Sequence, residues 1–143
     1  MTDERQFTIG ELSRRTSIGI ETIRYYERIG LMPRPPRTGG GRRAFGPDNL
    51  ATLSFIKHCR ELGFSLDDIR ALLVLRASDR SCSDVKSIAT RHLEAVRVKL
   101  HTLSEIEESL TALIARCPGD TSPVCPVLDV LDAPCCGGTP ARA

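Results

Sequence analysis

The cysteines are the residues of this 143-residue chain with the most distinctive chemistry. There are six, and all but the first lie in the second half: Cys59, Cys82, Cys117, Cys125, Cys135 and Cys136. Cys117 and Cys125 enclose a short segment, PGDTSPV, that holds two prolines and a glycine. In a reducing compartment, thiols serve as metal ligands or redox sensors more often than as structural disulfides. The segment could therefore be a metal-binding loop, part of a disulfide framework, or a loop without a specific role.

The N-terminus and the hydropathy of the chain favour a cytoplasmic protein. MTDERQF is charged and has no apolar region of the kind that a secretory signal needs. No run of about 18 apolar residues is present, as a membrane-spanning helix would require. The sequence also lacks an evident acid/base pair, and TGGG is not followed by the Lys and Ser/Thr of a phosphate-binding loop. We therefore expect neither enzyme activity nor membrane contact.

Positive charge is concentrated at the front of the chain. Residues 5–60 contain eleven Arg and Lys against four Asp and Glu, whereas the whole chain has a net charge of +2. Such asymmetry is typical of a region that binds a polyanion, so it favours nucleic-acid binding over a merely solvated basic face.

Local signals predict two short helices within this basic region. Thr8 and Glu11 have the spacing of a capping box, so a helix should begin there. Gly19 can take the tight turn that follows, and the second helix, IETIRYYERIG, should stop at Gly30. Beyond it, LMPRPPRTGGGRRAF predicts a small β-hairpin with a flexible tip, with a disordered linker as the alternative.

A helix, a tight turn, a second helix and an arginine-bearing hairpin are the parts of a winged helix-turn-helix. The second helix could enter the major groove of DNA, and the hairpin arginines could reach the adjacent backbone or minor groove. The side chains expected to contact DNA are Thr22, Arg24, Tyr25 and Tyr26 on the helix and Arg37, Arg42 and Arg43 on the hairpin. Double-stranded DNA is therefore the predicted partner of this region.

Two further helices should supply the core of the same domain. One is expected to begin at Pro47 or Asp48 and to stop at Gly63. Its apolar stripe is Leu50, Leu53, Ile56 and Leu62. The next helix, SLDDIRALLVLR, opens with Ser65 and Asp68 as a cap pair.

The longest helix is predicted from Cys82 to about Ala115, a segment without glycine or proline. An apolar seam with steps of three and four, interrupted at Glu107, runs along it: Leu93, Val96, Leu100, Leu103, Leu110 and Ile114. At 1.5 Å per residue such a helix is about 50 Å long, more than a small domain can cover. The seam therefore favours an antiparallel homodimer over a helix that folds back on its own chain.

The front of the chain resembles the MerR family of transcriptional regulators. The likeness is carried by FTIGELSRRTSIGIETIRYYERIGLMPRPPRTGGGRRAF, above all by TIRYYERIGL and GRRAF, and continues through ELGFSLDDIRALL, the long helix and the cysteine loop. The resemblance implies a homodimer bound to promoter DNA between the −35 and −10 elements. It also implies that the liganded dimer untwists the DNA, so that RNA polymerase engages both elements, which is a use of DNA deformability.

The resemblance further implies that the C-terminal half senses the effector. Drug-binding members carry a further domain, which we do not expect here. CPGDTSPVCP resembles the loop of the metal sensors, particularly the copper and gold responders, and Cys135 and Cys136 resemble the tail of copper-sensing members. The residue at position 82 instead resembles that of the divalent sensors, which carry Cys there, whereas the monovalent sensors carry Ser.

Charge balance favours a soft divalent ion. Two thiolates around a monovalent ion, or three around a divalent ion, leave one net negative charge, whereas a third thiolate at a monovalent site would bury an extra anion. We therefore expect Hg(II), Cd(II), Pb(II) or Zn(II) to be bound by Cys117 and Cys125 of one protomer and Cys82 of the other. Cys135 and Cys136 are expected to add ligands or to form an exposed flexible pair. The alternatives are a Cu(I) or Au(I) sensor with an idle Cys82, and a thiol redox sensor.

These expectations divide the chain into three parts and make its fold mainly α. Residues 1–76 are predicted to form a winged helix-turn-helix DNA-binding domain and residues 77–116 a long antiparallel coiled-coil dimerisation helix. Residues 117–143 are predicted to form a metal-binding loop, a short helix and a flexible tail.

The remaining cysteine and the histidines are expected to be structural or exposed. Cys59 should be a packed thiol in a core helix, with His58 beside it on the surface or facing DNA. His92 and His101 on the long helix should face solvent or the seam.

Overall fold

The computed structural model is mainly α-helical, as predicted, and describes residues 6–37, 39–41, 43–78, 82–117, 119 and 124–133. The helices of these residues, in chain order, are α1 (Ile9–Thr16), α2 (Ile20–Arg28), α3 (Pro47–Glu61), α4 (Leu66–Ala77), α5 (Cys82–Arg116) and α6 (Pro126–Leu131). The chain divides into two compact units, Met1–His92 and Leu93–Ala143. Among the described helices, none combines the length and the apolar character needed to cross a membrane.

Helix α1 begins where the sequence predicts. Thr8 is its N-cap, and the Thr8 hydroxyl accepts a hydrogen bond from the backbone N–H of Glu11 at 3.2 Å. In return, the Glu11 carboxylate accepts the backbone N–H of Thr8 at 2.7 Å. The hydrogen bond from the Thr8 backbone stabilises the charged carboxylate and so lowers the pKa of Glu11. The capping box is therefore confirmed, and it fixes the start of the first helix.

The turn between α1 and α2 uses a different residue from the one predicted. Ser17 adopts the left-handed conformation with φ 56°, whereas Gly19 has φ −60° and is the N-cap of α2. The left-handed residue is needed directly after the last helical turn, and that position holds Ser rather than Gly. The prediction that Gly19 makes this turn was wrong.

The core of the first unit lies between α1, α2, α3 and α4. Its largest completely buried side chains are Leu12, Ile23, Met32, Phe45, Leu53, Ile56 and Ile69. Leu62, which was predicted to belong to the apolar stripe of α3, is 68% exposed because a position six residues beyond Ile56 lies about 120° around the helix from the buried face. Cys59 instead fills the third core position of this helix.

Residues 31–45, which follow α2, form the segment that we call the wing. It contains less β structure than the predicted hairpin. Antiparallel bridges join Phe7 to Phe45 and Arg37 to Arg43, and the described residues contain no strand longer than a bridge. The prolines of the segment cannot donate to a ladder, which limits its extent. Phe7 and Phe45 exchange two backbone hydrogen bonds of 2.7 and 3.0 Å, so the end of the wing is fixed beside the start of α1.

Helix α5 contains 35 residues, and none of them is buried. From Leu93 onward it belongs to the second unit, in which α6 follows it. Large apolar side chains of the predicted seam are exposed along this part, including Leu100 and Leu103. The predicted long helix is confirmed, and its apolar seam has no cover within the described residues of this unit.

Candidate DNA-binding surface and metal centre

Helix α2 presents a polar and aromatic surface to solvent. Thr22, Arg24 and Tyr25 are all exposed. The Arg24 guanidinium donates to the carboxylate of Glu21 at 2.9 Å, and the guanidinium of Arg28 lies 5.5 Å from the centre of the Tyr25 ring. Hydroxyl, guanidinium and aromatic groups of this kind contact phosphates, sugars and base edges. This face of α2 is thus equipped for DNA, as the sequence predicts for these three positions.

Tyr26 is placed differently from its neighbours. It is 8% exposed and belongs to the hydrophobic core, on the face of α2 that also buries Ile23. Tyr25 and Tyr26 are consecutive in a helix, so their side chains point about 100° apart and only one of them can share the exposed face. Tyr26 therefore supports the position of α2, and its predicted DNA contact has little surface available.

The wing brings two of its predicted arginines to the surface. Arg37 and Arg43 are exposed and face each other across their bridge. The third, Arg42, lies outside the described residues. Arg43 reaches helix α2, where its Nε is 3.4 Å from Oε2 of Glu27.

An open pocket of about 300 Å³ lies between α2 and the wing. It is lined by Arg24, Glu27, Arg28, Arg34 and Arg43. Glu27, Arg28 and Arg34 were not predicted from the sequence to be functional residues. The spacing of Arg24, Glu27 and Arg28, at steps of three and four from the first, is a signal that could have found the helical part of this cluster.

The candidate metal ligands lie at the ends of the second-half helices. Cys82 is the first residue of α5 and is exposed. Cys117 follows the last residue of α5, and its backbone N–H donates to the carbonyl of Ile114 at 3.1 Å. Cys125 is the N-cap of α6, and both Cys117 and Cys125 are half-buried. All three are free thiols, the soft donors that suit the expected ions.

The single chain does not assemble a metal site from the side chains that can be described. No group of three or more His, Cys, Asp or Glu with suitable placement occurs among the described residues. Cys135 and Cys136, the expected additional ligands, lie outside them.

Cys59 differs from the candidate ligands in its surroundings. It is buried in α3, and burial raises the pKa of the Cys59 thiol because the apolar core disfavours the thiolate. His58 beside it is exposed. Both positions agree with the expectations from the sequence.

His92 was expected to face solvent or the seam, but it contacts the body of the first unit. Its ring stacks on that of Phe64 with 4.2 Å between the centroids. Its Nε2 lies 2.8 Å from the carbonyl oxygen of Leu62, and because a carbonyl only accepts, this nitrogen carries the proton. Gly63 lies between Leu62 and Phe64 in the sequence and has φ +83°. A Cβ atom at this position would lie 3.7 Å from the imidazole, so all three residues of the turn after α3 lie close to His92. No sequence pattern marks this contact, since it joins residues about 30 positions apart.

Comparison with known proteins agrees with this architecture. Residues 7–74 match the family model described as MerR HTH family regulatory protein, and residues 50–113 match the model described as MerR, DNA binding. Heavy metal-dependent transcription regulator 2 of Rhizobium meliloti is 38% identical over 85% of this chain and 83% of its own length. The mercuric resistance operon regulatory protein of Bacillus cereus is 38% identical over 88% of this chain and 97% of its own length.

A solved structure has the same fold. The lead(II) complex of a transcription regulator from Ralstonia metallidurans superimposes with a TM-score of 0.76 at 36% sequence identity. The match covers 87% of this chain and 98% of that structure.

Proposed function

This chain belongs to the MerR family of transcriptional regulators, and from that premise we propose that it activates transcription in response to a soft divalent metal ion. The family consists of DNA-binding regulators rather than enzymes, in agreement with the sequence analysis. The observation that carries the proposal is the position of three free cysteines, one at the start of α5, one directly after its end, and one at the start of α6. Relatives of the chain are named for heavy metals and mercury, and a structural neighbour holds lead.

The DNA-binding part of the function is assigned to residues 1–76. Thr22, Arg24 and Tyr25 would contact the DNA from α2, and Arg37 and Arg43 would contact it from the wing. Their exposure on adjacent elements supports this assignment. Arg42 belongs to the same proposal on the basis of its sequence position.

Residues 77–116 would join two copies of the chain. The apolar side chains along α5 are exposed in the single chain, where they would lie in water at a cost of about 25 cal/mol for each Å². A second α5 in antiparallel orientation would cover them, because the same seam is present in both copies. We therefore assign α5 as the helix of a homodimer.

The dimer would complete the metal site. A straight helix of 35 residues is about 50 Å long, so Cys82 and Cys117 mark opposite ends of α5. In an antiparallel pair the start of one helix lies beside the end of the other, which would bring Cys117 and Cys125 of one protomer to Cys82 of the partner subunit. A bound soft cation would supply positive charge for three thiolates of two chains. Cys135 and Cys136 could extend this donor set within residues 117–143.

The regulatory step would follow from this link between protomers. Cys82 begins the helix that also carries His92, and His92 contacts the DNA-binding unit through Leu62 and Phe64. A change in the position of Cys82 would therefore reach the turn after α3, and Phe64 of this turn shares its hydrophobic core with Ile23 of α2. The dimer would then distort the promoter so that RNA polymerase can use it, at a DNA deformation cost of a few kcal/mol.

A transcription assay on the promoter upstream of its own gene tests the proposal. Hg(II), Cd(II), Pb(II), Zn(II) and Cu(I) are titrated in thiol-buffered, oxygen-free solution with the wild type, Cys82→Ser, and the matched control Ser87→Ala. Activation by a divalent ion that is lost in Cys82→Ser and kept in Ser87→Ala supports the three-thiolate site. Activation by Cu(I) alone, unchanged in Cys82→Ser, would reject it in favour of a monovalent sensor. Activation by peroxide without any metal would favour a thiol redox sensor.

A further inference from the structure

Glu27 is a buried carboxylate in the helix that faces DNA. It is 5% exposed, although a charged side chain is seldom buried unless it is paired. Its Oε2 lies 3.4 Å from Nε of Arg43, and its Oε1, also buried, has no hydrogen-bond partner within the part of the chain that is described. A buried acceptor without a partner is uncommon in folded proteins and calls for a functional explanation.

The surroundings of Glu27 are dominated by arginine. Arg24 and Arg28 come from α2, and Arg34 and Arg43 come from the wing, so four guanidinium groups line the same open pocket as one carboxylate. The four positively charged guanidinium groups repel one another, and the single carboxylate of Glu27 offsets only part of this repulsion. The pocket therefore retains an excess of positive charge, which suits an anion with several acceptor oxygens.

The contact between Glu27 and Arg43 uses the inner nitrogen of the guanidinium. The distance from Nε of Arg43 to Oε2 of Glu27 is 3.4 Å, which makes an ion pair between the wing and α2. Arg43 is 41% exposed at its side chain, whereas the Glu27 side chain is 4% exposed. The buried carboxylate is thus paired with an arginine whose side chain is partly accessible to solvent.

We propose that Glu27 is a positioning residue for DNA binding, which orients Arg43 against α2 so that the arginines of this pocket bind a phosphate group of the DNA backbone. The inference rests on the proposed DNA-binding function. It gives a role to a negative charge on the proposed DNA-binding surface. If Glu27 acted only through its charge, it would repel DNA, and its removal should strengthen DNA binding. If Glu27 positions Arg43, its removal should weaken DNA binding.

The test replaces Glu27 by Gln, which keeps the shape of the side chain and removes its charge. Binding of a fluorescent DNA duplex of mixed sequence is followed by anisotropy over a range of salt concentrations, since phosphate contacts do not depend on base sequence. The matched control is Glu61→Gln, which removes an exposed carboxylate of α3 that pairs with Lys57 rather than with an arginine of this pocket. We expect Glu27→Gln to bind about tenfold more weakly and to lower the slope of log K against log salt by about one, the loss of one phosphate contact. Glu61→Gln should bind as well as the wild type or better.

A second comparison tests whether Glu27 acts through Arg43. In an Arg43→Gln background, Glu27→Gln should have no further effect on affinity or slope, because the residue that it positions is absent. If Glu27→Gln loses its helical circular dichroism, Arg43→Lys takes its place. Lys keeps the charge at this exposed position but lacks the guanidinium that Glu27 would orient, so a loss of affinity of the same size is expected.

The outcomes separate this inference from the proposed function. Glu27→Gln with equal or tighter binding and an unchanged slope would overturn the inference alone. A loss of equal size in the Arg43→Gln background, or an unchanged affinity in Arg43→Lys, would do the same. A wild-type protein without salt-dependent DNA binding would refute the proposed function and the inference together.

Discussion

Replacement of His92 by Ala should destabilise the protein through two contacts that the structure shows. The imidazole stacks on Phe64, and its Nε2–H donates to the carbonyl of Leu62 at 2.8 Å. A stacked ring pair contributes about 1 kcal/mol beyond its buried area, and a hydrogen bond contributes about 1 kcal/mol net. Leu62 is at the surface, so water can hydrate its carbonyl and no penalty for a buried acceptor is added. We therefore expect a loss of about 2 kcal/mol in the free energy of unfolding.

The measurement is urea unfolding of the whole protein, followed by far-UV circular dichroism at one protein concentration, because a dimer's stability depends on concentration. The matched control is His101→Ala on the same helix, where the imidazole is 78% exposed and lies 3.6 Å from Glu105. The control should change the free energy of unfolding by less than about 0.5 kcal/mol. His92→Phe, which keeps a ring against Phe64 and loses the hydrogen bond, should lose about half as much as His92→Ala.

Equal stabilities of His92→Ala and His101→Ala would refute this reasoning. They would mean that the turn after α3 does not depend on α5, and that the proposed route from Cys82 to the DNA-binding unit has no energetic basis at His92. A large loss in His92→Phe, equal to that in His92→Ala, would instead assign the whole effect to the hydrogen bond with Leu62.

Two further predictions concern pH and assembly. The hydrogen bond from Ser65 lowers the pKa of Asp68 below its ordinary value of 3.8, so the folded state gains stability from the ionised carboxylate above that value and loses it as the pH falls through the folded-state pKa. The free energy of unfolding, measured between neutral and acidic pH, should fall with pH in this way in the wild type and in Asp67→Asn. Asp68→Asn should lack the stabilisation by the Asp68 carboxylate at all pH values. Identical pH profiles for the three proteins would contradict this prediction. Leu103→Glu places a charge in the apolar seam and should weaken the proposed dimer at least tenfold in sedimentation equilibrium. Val98→Glu, exposed on the same helix but outside the seam, should not. Equal dissociation constants for the two variants would exclude α5 as the proposed interface.

Local signals predicted the helix boundaries because their physical causes are local. The start of α1 depends on Thr8 and Glu11, which are three residues apart, and the start of α4 depends on Ser65 in the same way. Gly30 and Gly63 mark the ends of α2 and α3 with positive φ, as their positions in the sequence indicated. Each of these features is decided within one turn of helix.

The contacts that assemble the site could not be predicted in this way. The burial of Glu27 depends on the wing folding back to α2, so its neighbours in the sequence do not reveal it. The stacking of His92 on Phe64 joins α5 to a turn formed much earlier in the chain. The prediction of Leu62 as a core residue failed for a different reason, because a position six residues beyond Ile56 lies about 120° away from the buried face of α3. The metal site remains a prediction, since it needs a second chain.

Because Cys59 is buried, the rate at which its thiol is alkylated can report how often the core of the first unit opens. A thiol reagent attacks the thiolate, and Cys59 is both shielded by the core of the first unit and held toward its protonated form by burial. Its alkylation must therefore wait for α3 to separate from the core, whereas exposed Cys82 can react in the folded state. The ratio of the Cys59 rate to that of a free thiol gives the fraction of time for which the core is open, and from it a local unfolding free energy. If Cys82, Cys117 and Cys125 bind metal as proposed, metal added before the reagent would protect them, and the reaction of Cys59 would report only the opening of the core of the first unit.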